Sequence, residues 1–324
     1  KISNKKKISK YKSVSETKTS IKGSPKEKII KILSELNINY SDIKFSRNEE
    51  DFIIYDFEID GQTIKEVEVE GLNKIYLEGS FEIITEGSTD YFNKYNGKYF
   101  DQIKLSGINN LNIGDNIIAG KELSISNLDF KKFDVFKKLL NSKSLNEQEI
   151  NLISYLMSMS FDNFYIKDIS IENSNNIDLI KYEYYLISKW KELSVDKILV
   201  KNSSLKNDFV DFALEEFIIE KIVLDKNEIV AFLNSDFNSR LAYANNEFPF
   251  LLNAIKSINN FEITNFTSIV AGEKIFDVEN IALKNLNFDY FGATGAKKVP
   301  VNFEIIVEGV NLMNMKNQYS EFND

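Results

Sequence analysis

The chain has 324 residues, of which 43% are apolar and 13% aromatic, and its formal net charge is −9. This composition is typical of a globular protein that can bury a sizeable core. Cysteine and histidine are both absent, which excludes disulfide bonds, thiolate nucleophiles, Cys/His zinc sites and any catalytic step that needs an imidazole. Arginine occurs only at Arg47 and Arg240. Because nucleic-acid readers place Arg on phosphates and base edges, we expect no nucleic-acid partner.

Residues 1–23 are basic, polar and without apolar periodicity, so we predict a flexible tail. Two roles are open for this tail: a solvated arm, or attachment to an anionic membrane surface, where a lysine gains roughly 1 kcal/mol. The chain has no run of about 18 apolar residues that could span a bilayer, and no apolar segment near its start predicts a signal peptide. It begins with Lys1, so a cleaved signal, an anchor or trimming stays open.

A helix is predicted to begin directly after the tail. Ser24 can cap it, Pro25 suits the first helical position, and Glu27 completes a capping box. Apolar residues then follow at helical spacing, at Ile29, Ile30, Leu33 and Leu36. We expect this helix to pack on a sheet that begins near Tyr40.

From Tyr40 onward an eight-position pattern recurs, in which positions one, three, six and eight are apolar. Full copies begin at Phe52, Leu123, Phe164, Leu193, Phe217 and Ile281, and copies without the last apolar position begin at Val67, Ile103 and Phe261. The steps of two are typical of strands with one buried face, and the central step of three shifts that alternation by one residue. We therefore predict repeated bent strands, each with a β-bulge or a bend at its centre.

Two longer stretches, 103–133 and 261–291, match without a gap and are predicted to be two copies of one structural unit. The intervals between pattern copies are irregular, which disfavours a solenoid, whose coils need a fixed period. A leucine-rich repeat is also disfavoured, because Asn127 and Asn285 stand one place before the Asn position of that repeat.

Three further helices are predicted, over 131–140, from the capping box at Ser144 through Met157, and from Pro249 through Ile258. The first of these could dock on the sheet or lie on a membrane surface, and docking is the favoured alternative. The chain is therefore divided into a basic flexible tail at 1–23, a first β-repeat unit at 24–141, a helical connection at 142–160 and a second β-repeat unit at 161–324. One continuous sheet is an equal alternative.

No stretch predicts an active site. The glycines of 292–296 lack the spacing and the Ser or Thr of a phosphate loop, so we interpret that segment as a turn. The carboxylates of Glu66, Glu68 and Glu70 alternate with apolar residues and are expected on the wet face of a strand, and Trp190 is expected in a packed hairpin. We assign no catalytic, cofactor-binding or metal-binding residue and expect a non-enzymatic protein.

Several phrases of the repeat, namely IKLSGINNL, LSISNLDF, FYIKDISIEN and LSVDKILVKNSSL, resemble AsmA-like repeat proteins of the Gram-negative envelope. The resemblance covers roughly residues 40–310 and implies long twisted sheets that form a groove with an apolar inner face, an N-terminal membrane tether and a part in lipid movement or envelope homeostasis. This chain departs from that family in having no N-terminal transmembrane helix and in being short.

Fold class and function follow from these observations. We predict a mainly β (α+β) fold, an extended twisted antiparallel sheet of repeated bent amphipathic strands with a few peripheral helices. The first functional hypothesis is a bacterial periplasmic or membrane-associated protein that binds lipid in an apolar sheet groove. The second is a structural or interaction protein with a protein partner and no small-molecule ligand.

Overall fold

The structure, a computed structural model, describes most of the chain between Gly23 and Leu312. The described residues are 23–88, 97–113, 116–130, 151, 154, 157–173, 179–207, 210–225, 227–229, 254–291 and 297–312. The predicted tail, except for Gly23, the predicted helix at 131–140 and the predicted turn at 292–296 lie outside the described residues.

Strands dominate these residues, and two helices lie near the N-terminal end. The helices are α1 (Pro25–Glu35) and α2 (Lys74–Glu86). The strands are β1 (Asp42–Phe45), β2 (Phe52–Ile59), β3 (Gln62–Glu70), β4 (Gly97–Lys98), β5 (Gln102–Ile113), β6 (Asn116–Ser126), β7 (Asp129–Phe130), β8 (Met159–Asn173), β9 (Leu179–Lys191), β10 (Ser194–Lys206), β11 (Val210–Leu224), β12 (Ile255–Val270), β13 (Glu273–Phe291), β14 (Lys297–Glu308) and β15 (Asn311–Leu312).

All of these strands belong to one antiparallel sheet. Its order is β1-β2-β3-β5-β6-β8-β9-β10-β11-β12-β13-β14, so each long strand pairs with its neighbours in the sequence. The short strands β4, β7 and β15 extend β5, β6 and β14 and pair with the same neighbours. The predicted fold class, an extended antiparallel sheet with peripheral helices, is confirmed.

Helix α1 begins as the sequence predicts. Ser24 is its N-cap, and its hydroxyl accepts a hydrogen bond from the Glu27 amide at 3.3 Å, while the Glu27 carboxylate accepts one from the Ser24 amide at 2.8 Å. Two donors that the first turn leaves unpaired are thus satisfied. Ile29 and Leu33 are buried in one cluster with Phe52 of β2, which confirms that α1 packs on the sheet.

Helix α2 was not predicted, although its sequence carries signals at both ends. Asn73 caps its first turn by accepting a hydrogen bond from the Ile75 amide, and Gly87 ends it in the left-handed conformation at φ 68°. Gly79 within the helix and the mixed apolar pattern conceal the helical period. A salt bridge between Lys28 and Glu78 joins α1 to α2.

The predicted bend is a left-handed residue at the fifth position of the pattern, and the strand register continues without a shift past it, as at Asp56, Gly107 and Asp168. Eight of the nine pattern copies have a positive φ there, at Asp56, Gly71, Gly107, Asn127, Asp168, Lys221, Asn265 and Asn285. All of these except Lys221 are Asn, Asp or Gly, whose short or absent side chains tolerate this backbone region best. The ninth copy, from Leu193, is out of phase: the left-handed residue of β10 is Asn202.

The two predicted copies of one unit have the same hairpin register. In the first copy Ile103 pairs with Ile125, Leu105 with Leu123 and Ile108 with Gly120. Adding 158 to each number gives the pairs of the second copy, Phe261 with Leu283, Ile263 with Ile281 and Phe266 with Val278. The hairpins differ toward their turns, where each has a register shift at a different place, and at their open ends, where β12 and β13 pair on to Ser257 and Asn287 but β5 and β6 give way to β4 and β7.

The end of one predicted helix is wrong. Ile255 and Ile258, predicted to end a helix from Pro249, lie in strand β12, because their side chains alternate across the sheet with polar neighbours. The described residues of the helix predicted through Met157 are helical.

The division of the chain into units stays a prediction. Strand β6 pairs directly with β8, so strands on both sides of the predicted connection at 142–160 share one sheet.

Candidate binding surface

Two lines of left-handed residues cross the whole sheet. The first left-handed line consists of Asp56, Gly107, Asp168, Asn202, Asn265 and Gly309. The second left-handed line consists of Gly71, Asn127, Lys189, Lys221 and Asn285. Strands along the sheet contribute to the two lines in turn, so that each left-handed residue faces an extended residue on the neighbouring strand.

The side chain that faces each left-handed residue lies over it or bonds to it. A Cβ on Gly71 would stand 2.4 Å from the Asp101 carboxyl, so this aspartate covers the glycine. Where the left-handed residue has a side chain, the two interact: Asn127 donates to Asp162 at 2.6 Å, and Lys189 is 3.1 Å from Asp196. The first line repeats this arrangement in the ion pair of Lys121 with Asp168 and in the hydrogen bonds of Asn202 with Glu183 and Asn265 with Glu215.

The apolar residues stay on one face of the sheet across both lines. In a flat, regular strand, residues three apart would lie on opposite faces. Here the rings of Tyr182 and Tyr185 contact each other at 6.0 Å across the first line, and those of Phe161 and Phe164 at 6.5 Å across the second. The step of three in the sequence pattern therefore continues the same apolar face past both lines.

Between the two lines lie two continuous apolar rows, each formed by residues that pair directly across the strands. Row one consists of Ile43, Ile54, Val67, Leu105, Leu123, Ile166, Tyr185, Val200, Phe217, Ile263, Ile281 and Val307. Row two consists of Phe45, Phe52, Val69, Ile103, Ile125, Phe164, Ile187, Ile198, Ile219, Phe261, Leu283 and Ile305. Tyr185 is the one member with a polar atom, and burial raises the pKa of its phenol.

The two helices cover the rows at the N-terminal end of the sheet. Ile29 and Leu33 of α1 and Leu77 of α2 pack with Phe52, Ile54 and Val69. The cluster that α2 forms through Tyr76 and Ile83 reaches Ile103 and Ile125. Row residues of β1 to β6 are therefore core residues of an ordinary helix-on-sheet layer.

From β8 to β14 no row residue belongs to a cluster that α1 or α2 forms. The row residues of β8 to β13 are half-buried, apart from Val200, which is buried at 7% exposure. At the edge strand β14, Ile305 is 55% exposed and Val307 53%. On the same face, beyond the first left-handed line, a cavity of about 240 Å³ opens over β9 to β12. Its lining consists of Ile180, Tyr182, Ser203, Ser204, Leu205, Phe212, Leu214 and Phe266.

The opposite face of the sheet carries ion pairs and hydrogen bonds. Lys201 lies 2.8 Å from Glu216 and Lys197 lies 3.4 Å from Glu220, with Leu199 between them on this face. The hydrogen bond with Glu216 raises the pKa of Lys201. Salt bridges and apolar side chains thus alternate on this face, in contrast to the apolar rows.

Nearer the N-terminal end, the same face holds a tyrosine and an ion pair. Tyr165 donates a hydrogen bond to Glu122, and burial together with this bond raises its pKa to about 12. Glu68 forms a salt bridge with Lys104, whose pKa this hydrogen bond raises. Glu66 and Glu68 lie on this face, because each stands one position from a row residue of β3. The carboxylate of Glu68 is thus a partner in a cross-strand pair.

The remaining sequence expectations concern chemistry. Trp190 lies in β9 and stacks on Phe161 with ring centroids 6.2 Å apart, as expected of a packed hairpin. Within the described ranges no group of three or more Asp or Glu residues could hold a metal ion. The functional feature that the sequence did not predict is the alignment of the rows, which depends on the strand register.

Comparison with protein-family models, with curated proteins and with solved structures finds no match. The resemblance to AsmA-like proteins therefore stays a hypothesis. In the part of the chain that the structure describes, no helix is long and apolar enough to cross a membrane.

Proposed function

We propose that this protein binds elongated apolar ligands, such as the acyl chains of lipids, and that its role is non-enzymatic. The observation that carries the proposal is the pair of continuous apolar rows, which runs on from β8 to β14 beyond the part of the sheet that the two described helices cover. Contiguous apolar surface of this kind on a protein is typical of binding sites.

The shape of the surface favours a long chain over a compact ligand. Neighbouring strands lie about 4.8 Å apart, so the seven strands from β8 to β14 carry the rows for roughly 30 Å beyond the described helices. The rows run across the strands, so a ligand along them would contact one side chain of each row per strand. The cavity over β9 to β12 lies beside this track and is lined mainly by apolar residues.

The proposed location is the bacterial envelope, in the periplasm or at a membrane. It is supported by the AsmA-like resemblance of the repeat and by the lysines of residues 1–23, which suit an anionic lipid surface. A lipid-associated protein at that location would meet its ligand at the membrane that the lysines contact.

Adjacent residues of β10 provide a matched test of the binding face. Ile198 belongs to row two, and Leu199 points to the opposite face. A fluorescent fatty acid should bind the wild-type protein and the Leu199→Glu variant with similar affinity, and should bind Ile198→Glu at least tenfold more weakly, because a carboxylate would then interrupt the row.

Circular dichroism and thermal unfolding establish that each variant is folded before its affinity is compared. If one of the two does not fold, the milder Ile198→Thr and Leu199→Thr pair takes its place. Equal loss of affinity in both variants, or no loss in the Ile198 variant, would contradict the proposal.

The alternative is a structural or interaction protein that binds no small molecule. A different observation favours it: the apolar side chains of Phe303, Ile305 and Val307 are all about half exposed on the edge strand β14. Under this alternative the fatty acid does not bind the wild-type protein at all, and the exposed side chains are covered by another protein chain.

A further inference from the structure

The edge strand β14 presents the most specific unpaired surface of the described part of the sheet. Among the described strands, only β13 pairs with β14, so the other backbone edge of β14 has no described partner strand. Its exposed apolar residues continue the face of the sheet, with Phe303 47% and Ile305 55% exposed. Unpaired strand edges of this kind accept a further strand by backbone hydrogen bonds.

The sequence of β14 repeats that of an internal strand. Residues 304–308 read Glu-Ile-Ile-Val-Glu, and residues 216–220 of β11 read Glu-Phe-Ile-Ile-Glu. In both strands a left-handed residue follows the second glutamate, Gly309 in one and Lys221 in the other. The two segments therefore both lie between the left-handed lines, but they run in opposite directions, since Gly309 belongs to the first line and Lys221 to the second.

The partner of β11 shows what such a segment binds. Strand β10 pairs with it through residues 197–201, Lys-Ile-Leu-Val-Lys. Its two lysines face the two glutamates, at 3.4 Å for Lys197 and Glu220 and 2.8 Å for Lys201 and Glu216. Opposite charges placed directly across two strands stabilise the pairing.

A second copy of the chain is a poor occupant in the register that joins Ile305 to Val307 of the other copy, because this pairing also places Glu304 opposite Glu308, twice over. Like charges directly opposite each other destabilise a strand pair. On β13, Glu304 faces Lys284, and Glu308 accepts a hydrogen bond from Asn280 at 3.4 Å. An incoming strand with basic residues at both ends of an apolar triplet would give the two carboxylates charged partners on the other side as well.

We propose that the edge of β14 that faces away from β13, which no described strand pairs with, accepts in antiparallel orientation an extended segment of a partner protein with the pattern lysine, three apolar residues, lysine. The two lysines pair with Glu304 and Glu308, and the first and third apolar residues extend the two apolar rows by one strand. This interaction surface is separate from lipid binding, since it uses the edge of the sheet and the carboxylates of the opposite face.

A synthetic peptide with the sequence of residues 194–206, labelled with a fluorophore, serves as the probe against the full chain. We expect saturable binding in fluorescence anisotropy and at least tenfold weaker binding of a control peptide in which Lys197 and Lys201 are replaced by glutamate. Hydrogen exchange should show new protection of the amides of residues 303–309 in the complex.

Charge reversal on the protein locates the site. The double variant Glu304→Lys/Glu308→Lys should reverse the preference and bind the glutamate peptide more tightly than the lysine peptide. A matched control, Glu86→Lys/Glu273→Lys, makes the same change of charge at two exposed carboxylates away from β14 and should bind like the wild type.

Three results would each overturn the proposal. One is the absence of saturable binding of the lysine peptide. Another is equal affinity for the two peptides, and the third is unchanged preference in the Glu304/Glu308 variant, which would place the peptide elsewhere, for example on β11 in exchange for β10.

Discussion

At the scale of single residues, the fold depends on positions that leave ordinary strand geometry. Asn, Asp and Gly occupy most of the left-handed positions, because other side chains cost about 1–2 kcal/mol there. The sequence pattern located most of these positions through its step of three. It failed where the residue gave no chemical signal, as at Lys189, whose strand was not recognised as a copy of the pattern.

Lys221 gives a direct test of the left-handed requirement, since it has φ 53° in the middle of β11. Lys221→Val should lower the free energy of unfolding by about 1–2 kcal/mol, although valine favours strands, because a β-branched side chain clashes in this backbone region. Lys221→Asn should raise that free energy by less than about 1 kcal/mol. Chemical denaturation measures both changes.

The matched control is Lys167→Val in β8, where the exposed lysine has ordinary extended backbone. There valine should be neutral or slightly stabilising, in accordance with its strand propensity. Similar effects of valine at both positions would contradict the importance of the left-handed conformation.

At the scale of elements, strands are joined in pairs by side chains that fit across the sheet. The pattern predicted the individual strands, and the duplication predicted equal hairpins, whose register is indeed the same. Helix α2 was missed because Gly79 and its irregular apolar spacing hide it, although Asn73 and Gly87 mark its ends. The helix predicted from Pro249 failed at Ile258 because short apolar runs fit either period.

The pair of Gly120 in β6 and Ile169 in β8 tests this cross-strand fit. A Cβ on Gly120 would stand 2.4 Å from Cγ1 of Ile169, so Gly120→Ala should lower the free energy of unfolding by about 1–3 kcal/mol. Ile169→Ala alone should cost about 2–5 kcal/mol. The double variant should cost less than the sum, by about 0.5–3 kcal/mol, because the added methyl then fills space that Ile169 vacates.

A distant pair supplies the control for this cycle. Leu33→Ala removes a buried side chain of α1 that packs on β2 rather than on the Gly120 pair. Combined with Gly120→Ala, its effect should add to within about 0.5 kcal/mol. Additive behaviour of the Gly120/Ile169 pair would show that the two residues do not compete for the same space.

At the scale of the whole molecule, the central feature is the continuity of the two rows over twelve strands. The sequence identified most row residues as apolar and strand-borne, but not those of β1, β9 and β14, which carry no copy of the pattern. It could not show that these residues line up, because alignment depends on which strands are neighbours and on a register that the irregular connections conceal. The part of the rows beyond the described helices likewise became visible only once α1 and α2 were placed on the other end.

The lipid proposal is tested most directly by mass spectrometry of an organic extract from the full chain, purified without detergent. We predict phospholipid or fatty acid at about one or more molecules per chain, held by the rows between β8 and β14, beyond the described helices. A well-folded protein whose extract contains no lipid above background would contradict the account, and the exposed apolar residues of β14 would then belong to a protein interface.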